Sequence, residues 1–166
     1  MKAHQGKTAV VFVTVLFMVF SFVSIVSAEE YEGLKGVSSV KVFFDIRIVN
    51  PQSAAIHLNL INETYKSLMT MKKKPVFVVV FMSGAVKLIS SNRMDFKSED
   101  AKYLDEIAAT VTKMSKEGIQ FEACLAAAKL FGVDPASLQS EFKQVGNGWI
   151  SEIGYQARGY SLVPAY

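Results

Sequence analysis

The run Gly118-Ile119-Gln120-Phe121-Glu122-Ala123-Cys124-Leu125-Ala126-Ala127-Ala128-Lys129-Leu130-Phe131-Gly132 changes character halfway along. Its first half alternates, with Ile119, Phe121 and Ala123 set against Gln120, Glu122 and Cys124, the period of two of a pleated strand. Its second half, Leu125 to Leu130, is rich in Ala and Leu and has no β-branched residue, which favours a helix. A strand running straight into a helix is the unit of an α/β domain. The changeover falls on Cys124, the only cysteine in the chain. In such sheets, crevices form at the carboxyl ends of strands. A helix beginning just after Cys124 turns N–H groups and a positive dipole end toward the sulfur, which favours a thiolate. The same position also fits a buried, inert small hydrophobe, the common state of a free cysteine. On position alone both readings stand.

Upstream of this run, Tyr103, Leu104, Ile107, Ala108, Val111 and Met114 recur at helical spacing, predicting a helix from about Ser98 to Glu117. Gly118 stops it in the usual position after the last turn. Val76 to Met82 is apolar on both faces, the mark of a central strand covered on both sides in a parallel sheet. Ser83-Gly84 ends that strand. Ala85 to Ile89 fits a short strand or a helical turn, and Ser90 to Glu99 a polar loop. Val40 to Ile46 reads as a first strand, rich in β-branched and aromatic residues. Pro51 suits the first turn of a helix over Gln52 to about Met71, whose apolar stripe is Ala54, Ala55, Leu58, Ile61, Tyr65, Leu68 and Met69.

Downstream, Asp134 and Pro135 open a short helical segment as N-cap and first residue. A strand is expected near Phe142 to Val145, a turn at Gly146-Asn147-Gly148, and a helix over about Trp149 to Arg158. Tyr160 to Val163 reads as a last edge strand, ended by Pro164. This alternation predicts a three-layer α/β/α sandwich with a mostly parallel central sheet. Neighbouring strands would bring the Ser83-Gly84 and Ala123-Cys124 ends together.

The N-terminus has Lys2 and Lys7, then no charge from Thr8 to Ser27, then Val26-Ser27-Ala28 followed by Glu29 and Glu30. That is the plan of a signal peptide cleaved after Ala28. The run is also about long enough to span a bilayer as an uncleaved anchor. Either way the folded part is exported, into the periplasm or an equivalent compartment, or held at the inner membrane facing it. Residues 29–39 read as a tether and 40–166 as the folded domain. The whole chain has 18 basic and 15 acidic residues; without Lys2 and Lys7 the balance is 16 − 15 = +1. No nucleic-acid partner follows from so small an excess. One cysteine in an exported chain has no internal disulfide partner, so it is free, modified or joined to another molecule.

Other chemistries find little support. There is no glycine-rich phosphate loop, and no cysteine or histidine cluster for a metal. Of the two histidines, His4 lies in the N-terminal segment and His57 stands alone on a helix, so no Ser-His-Asp set is legible. Lys72-Lys73-Lys74 suits the end of a helix, where cations meet the dipole. Asn62-Glu63-Thr64 matches a glycosylation acceptor, but falls inside a helix. Glu122 shares a strand face with Cys124; close by, its charge opposes a thiolate, and it is expected instead to point aside as a solvated rim residue.

Over about Val40 to Pro164 the chain resembles the DsrE/DsrF-like family of sulfur-relay proteins, whose domain has a flavodoxin-like topology. The resemblance is carried by Gly-Ile-Gln-Phe-Glu-Ala-Cys-Leu-Ala-Ala-Ala at 118–128, similar to that family's strand, sulfur-accepting cysteine and alanine-rich helix. The Ser83-Gly84 strand end and the stretch from Val145 through Gly148 to Gln156, Gly159 and Tyr160 are similar as well. The resemblance implies that Cys124 is the carrier, holding sulfur as a persulfide and passing it on, with Ser83 and Gly84 in support and no metal or organic cofactor. It implies donor and acceptor proteins or small persulfides as partners, and a homo-oligomer: dimer, trimer or hexamer. The N-terminal segment departs from the cytoplasmic relays, so donor and acceptor do not transfer. Two other readings compete: an exported, non-catalytic α/β binding module, and a redox sensor joined through an intermolecular Cys124 disulfide.

Overall fold

The structure, a computed structural model, describes residues 31–166. The proposed signal peptide or anchor at 1–28 lies outside the described residues. The chain divides into two units, Met1–Lys35 and Gly36–Tyr166. The described part of the first holds one 3-10 turn, Glu32–Leu34. All the elements below belong to the second.

Five strands form one sheet: β1 (Ser39–Ile46), β2 (Lys74–Phe81), β3 (Gln120–Cys124), β4 (Phe142–Val145) and β5 (Ser161–Ala165). Their order is β4-β3-β2-β1-β5 and every neighbouring pair is parallel. The helices are α1 (Pro51–Thr70), α2 (Ala101–Lys116), α3 (Leu125–Leu130) and α4 (Gly148–Ala157). The fold is thus the expected α/β sandwich, with β2 at its centre. Val78, Val79, Val80 and Phe81 have no solvent exposure, as a strand covered on both faces requires.

The register sorts the side chains into two layers. Phe44, Val79, Phe121 and Phe142 share one face through successive pairings. There Tyr65 of α1 meets Phe77 edge-on at 5.3 Å, and Phe142 meets Phe81 and Phe121 at 5.2 and 5.4 Å. The other face carries Phe43, Val78, Val80, Glu122 and Cys124, and α4 lies over it with Tyr155 5.6 Å from Phe43.

Local chemistry sets the boundaries. Asn50 caps α1 through Ser53 N–H, with Pro51 in its first turn. Gly118 ends α2 at φ +94, and the N–H groups of Gly118 and Ile119 return to the carbonyls of Ser115 and Met114. Asp134 caps the 3-10 turn Pro135–Ser137.

Several expectations need correcting. Pro164 does not end the last strand but lies within β5, an edge strand that tolerates a residue without an N–H. Of the two expectations for Ala85 to Ile89, the helical one holds and the strand does not: the segment is most of a 3-10 helix, Ser83–Ile89. Met69, placed on the buried stripe of α1, is 53% exposed, and Asn62 is buried there instead. In that last turn Leu68, not Met69, is the buried residue. The burial of Asn62 leaves no room for a glycan at the Asn62-Glu63-Thr64 triplet.

Candidate functional site

Cys124 closes β3 and is the N-cap of α3. Its Sγ accepts two backbone N–H groups, from Ala127 at 3.4 Å and from Gly148 at 3.2 Å. The first is the donor that a helix beginning after Cys124 must offer. The second comes from the start of α4, twenty-four residues on, and is not legible locally. The Gly146 carbonyl accepts the Ala126 N–H, tying the turn before α4 to the start of α3. Cys124 is 5% exposed and packs with Val80, Met82, Val86 and Ala127.

The thiol is nevertheless not sealed in. It lines a cavity of about 320 Å³ together with Arg47, Met82, Ser83, Asn147 and Trp149. Leu130 and Trp149, at its edge, are 78% and 61% exposed. The ends of β1, β2 and β3 therefore converge there, as the strand-end argument predicts. Ser83 stands in the wall with φ +53, a left-handed conformation uncommon for a non-glycine residue. Gly84 does not line the cavity. It is buried behind it, where an added Cβ would meet Val49 Cγ1 at 2.8 Å and Phe131 Cε1 at 3.6 Å.

Arg47 supplies a cation to the wall. Its Nε donates to Asp45 Oδ2 at 2.7 Å, and its guanidinium lies 5.9 Å from the Tyr166 ring. Asp45 is 1% exposed; burial pushes its carboxyl up, and the bond and charge of Arg47 pull it back.

Gly148 is the tightest point. A Cβ there would overlap Met82 Sδ and lie 2.7 Å from Met82 Cγ and 3.3 Å from Cys124 Cβ. Glycine lets α4 start against the sulfur without displacing the Met82 side chain. We expect Gly148→Ala to destabilise the protein by about 1–3 kcal/mol through overpacking, read by denaturant unfolding. Unchanged stability would show that α4 sits with slack over Cys124.

Glu122 is not the solvated rim residue expected. It is 3% exposed, and it accepts Ser151 Oγ at 2.6 Å and Tyr155 OH at 3.0 Å. Burial and the neighbouring Glu122 charge push the Tyr155 hydroxyl up to about 12, so it stays a donor. The alternation of the strand was read correctly but not its consequence, because α4 covers the polar-looking face. Arg47, Met82, Asn147 and Trp149 were missed. Arg47 follows a strand end and Asn147 caps α4, so both positions carry a signal in the sequence. His57 bonds to the Ser53 carbonyl within its own helix, a structural role. Among the described residues no acidic, histidine or cysteine cluster could hold a metal, and no helix is long and apolar enough to cross a membrane.

The family model described as DsrE/DsrF-like family matches residues 41–164. No curated protein matches. Among solved structures, a protein of unknown function from Methanobacterium thermoautotrophicum is similar in fold, with a TM-score of 0.55 and 17% identity over 76% of this chain and 98% of that one.

Proposed function

The chain belongs to the DsrE/DsrF-like family, which suggests a sulfur-relay type of role, and on that premise we propose that it carries sulfur as a persulfide on Cys124. The observation that supports this reading is one arrangement: the only cysteine ends a strand, lines a cavity, and receives two backbone N–H groups on its sulfur.

The chemistry is an exchange at sulfur. The Cys124 thiolate attacks the outer sulfur of a donor persulfide, R–S–SH. The new S–S bond forms at Sγ, the donor S–S bond breaks, and the donor leaves as its thiolate. Oxidation state is conserved, so no oxidant or reductant is needed. In the onward step an acceptor thiolate attacks the outer sulfur and Cys124 leaves as thiolate, the form that the Ala127 and Gly148 N–H groups are placed to receive. Ser83 and Arg47 line the space that the incoming group would occupy. Donor and acceptor proteins or small persulfides are the partners. Assembly as a homo-oligomer and export, with residues 1–28 cleaved or kept as an anchor, belong to the same proposal.

The test is to load the purified chain with a small persulfide, map the sulfur by peptide mass spectrometry, and then add an acceptor thiol. Sulfur on the Cys124 peptide that is discharged to the acceptor supports the relay; sulfur that never appears there overturns it. A second reading rests on the 5% exposure of Cys124: a binding module in which the thiol is part of the core. Native resistance of Cys124 to alkylation favours that reading.

A further inference from the structure

Glu122 takes no part in the sulfur exchange, yet it is buried two residues from Cys124 on the same face of β3. Both of its hydrogen-bond donors, Ser151 and Tyr155, come from α4. The first residue of that same helix, Gly148, donates its N–H to Cys124 Sγ. We propose that Glu122 is a latch: a positioning residue that seats α4 on Cys124, holds the Gly148 N–H against the sulfur, and sets how open the thiol is. Its functional meaning rests on the reading of Cys124 as a sulfur carrier; its geometry does not.

The amphipathicity of α4 is what gives the latch its weight. A helix seated by apolar burial turns its large hydrophobic residues inward. Here Trp149, Ile150 and Ile153 point out, at 61%, 69% and 65% exposure, while Ser151 and Tyr155 face the sheet. Apart from the Tyr155 ring against Phe43 and Tyr160 and Gly148 against Met82 and Cys124, the inward side is held by hydrogen bonds to one carboxylate. Bonds to a charged, buried acceptor are among the stronger ones, and leaving such a group unpaired is costly. Ser151 lies about one helical turn beyond Gly148, and Tyr155 about two. Loss of the Ser151 and Tyr155 bonds therefore frees the end of α4 that covers the thiol, while the α1 and α2 layer on the other face keeps its packing.

The test uses the full chain with Cys124 intact. Two rates are measured under native conditions: alkylation of Cys124 by N-ethylmaleimide, and hydrogen exchange at the Gly148 amide. Removing hydrogen bonds to a charged group shifts an opening equilibrium by about tenfold or more. Glu122→Ala is therefore expected to speed both rates by about that factor, while the Val79 and Val80 amides of β2 stay unchanged. Glu122→Gln keeps a carbonyl acceptor for Ser151 and turns its amide to Tyr155 but loses the charge, so it should speed both rates clearly less than Glu122→Ala does. Tyr155→Phe removes one bond but keeps the ring packing, and should fall between the unaltered protein and Glu122→Ala. It decides the question if Glu122→Ala does not fold. The latch is overturned if Glu122→Ala and Tyr155→Phe leave both rates alone. It is equally overturned if the β2 amides accelerate as much as Gly148, or if Glu122→Gln is as fast as Glu122→Ala. Neither rate involves sulfur transfer, so a Cys124 that never accepts sulfur defeats the proposed function and leaves the latch standing on its own result.

Discussion

Cys124→Ser is expected to abolish sulfur loading while leaving thermal stability nearly unchanged. Serine places an oxygen near the position of Sγ, where it still accepts the Ala127 and Gly148 N–H groups. It also suits the N-cap of α3, since a hydroxyl is a preferred cap. The local fold therefore keeps its hydrogen bonds. The hydroxyl cannot do the chemistry: the exchange needs a sulfur nucleophile and a sulfur leaving group. The measurement is persulfide content after exposure to a small persulfide, beside a thermal melt of both proteins. Equal loading in the serine variant removes the relay.

The second large effect concerns the frame that holds the site. Phe81 has no solvent exposure, lies on the central strand, and meets Phe142 edge-on at 5.2 Å. It immediately precedes Met82 and Ser83, which line the cavity. Phe81→Ala removes a whole ring from a close-packed layer and should destabilise the domain by about 3–5 kcal/mol. Domains of this size hold about 5–15 kcal/mol in all, so the variant is expected to be marginal. Denaturant unfolding measures the loss. A value below about 1 kcal/mol would contradict the central position of β2.

The strand and helix pattern was legible because this fold writes it strongly. Val78, Val79, Val80 and Phe81 form a short apolar run rich in β-branched residues, which suits a doubly covered strand, and Gly118 and Pro51 mark helix ends through their own backbone limits. Cys124 was legible for the same reason, since the switch from alternation to an Ala-rich run leaves it at the junction. What the sequence hid were the contacts made over distance. Nothing near Glu122 announces that Ser151 and Tyr155 will bury it. Nothing near Cys124 announces the N–H of Gly148. The α4 segment misleads in its own right, because its large hydrophobic residues face outward and its polar ones face the sheet. Ser83 and Gly84 show the same division: the sequence located the strand end, but only the packing of Val49 and Phe131 separates the wall residue from the one behind it.

The most direct test of the central claim is intact mass spectrometry of the protein purified without reductant from its native compartment. The account predicts the mass of residues 29–166 plus one sulfur atom that a reductant removes and that maps to Cys124. A bare thiol at Cys124 that also resists alkylation in the native state would contradict it.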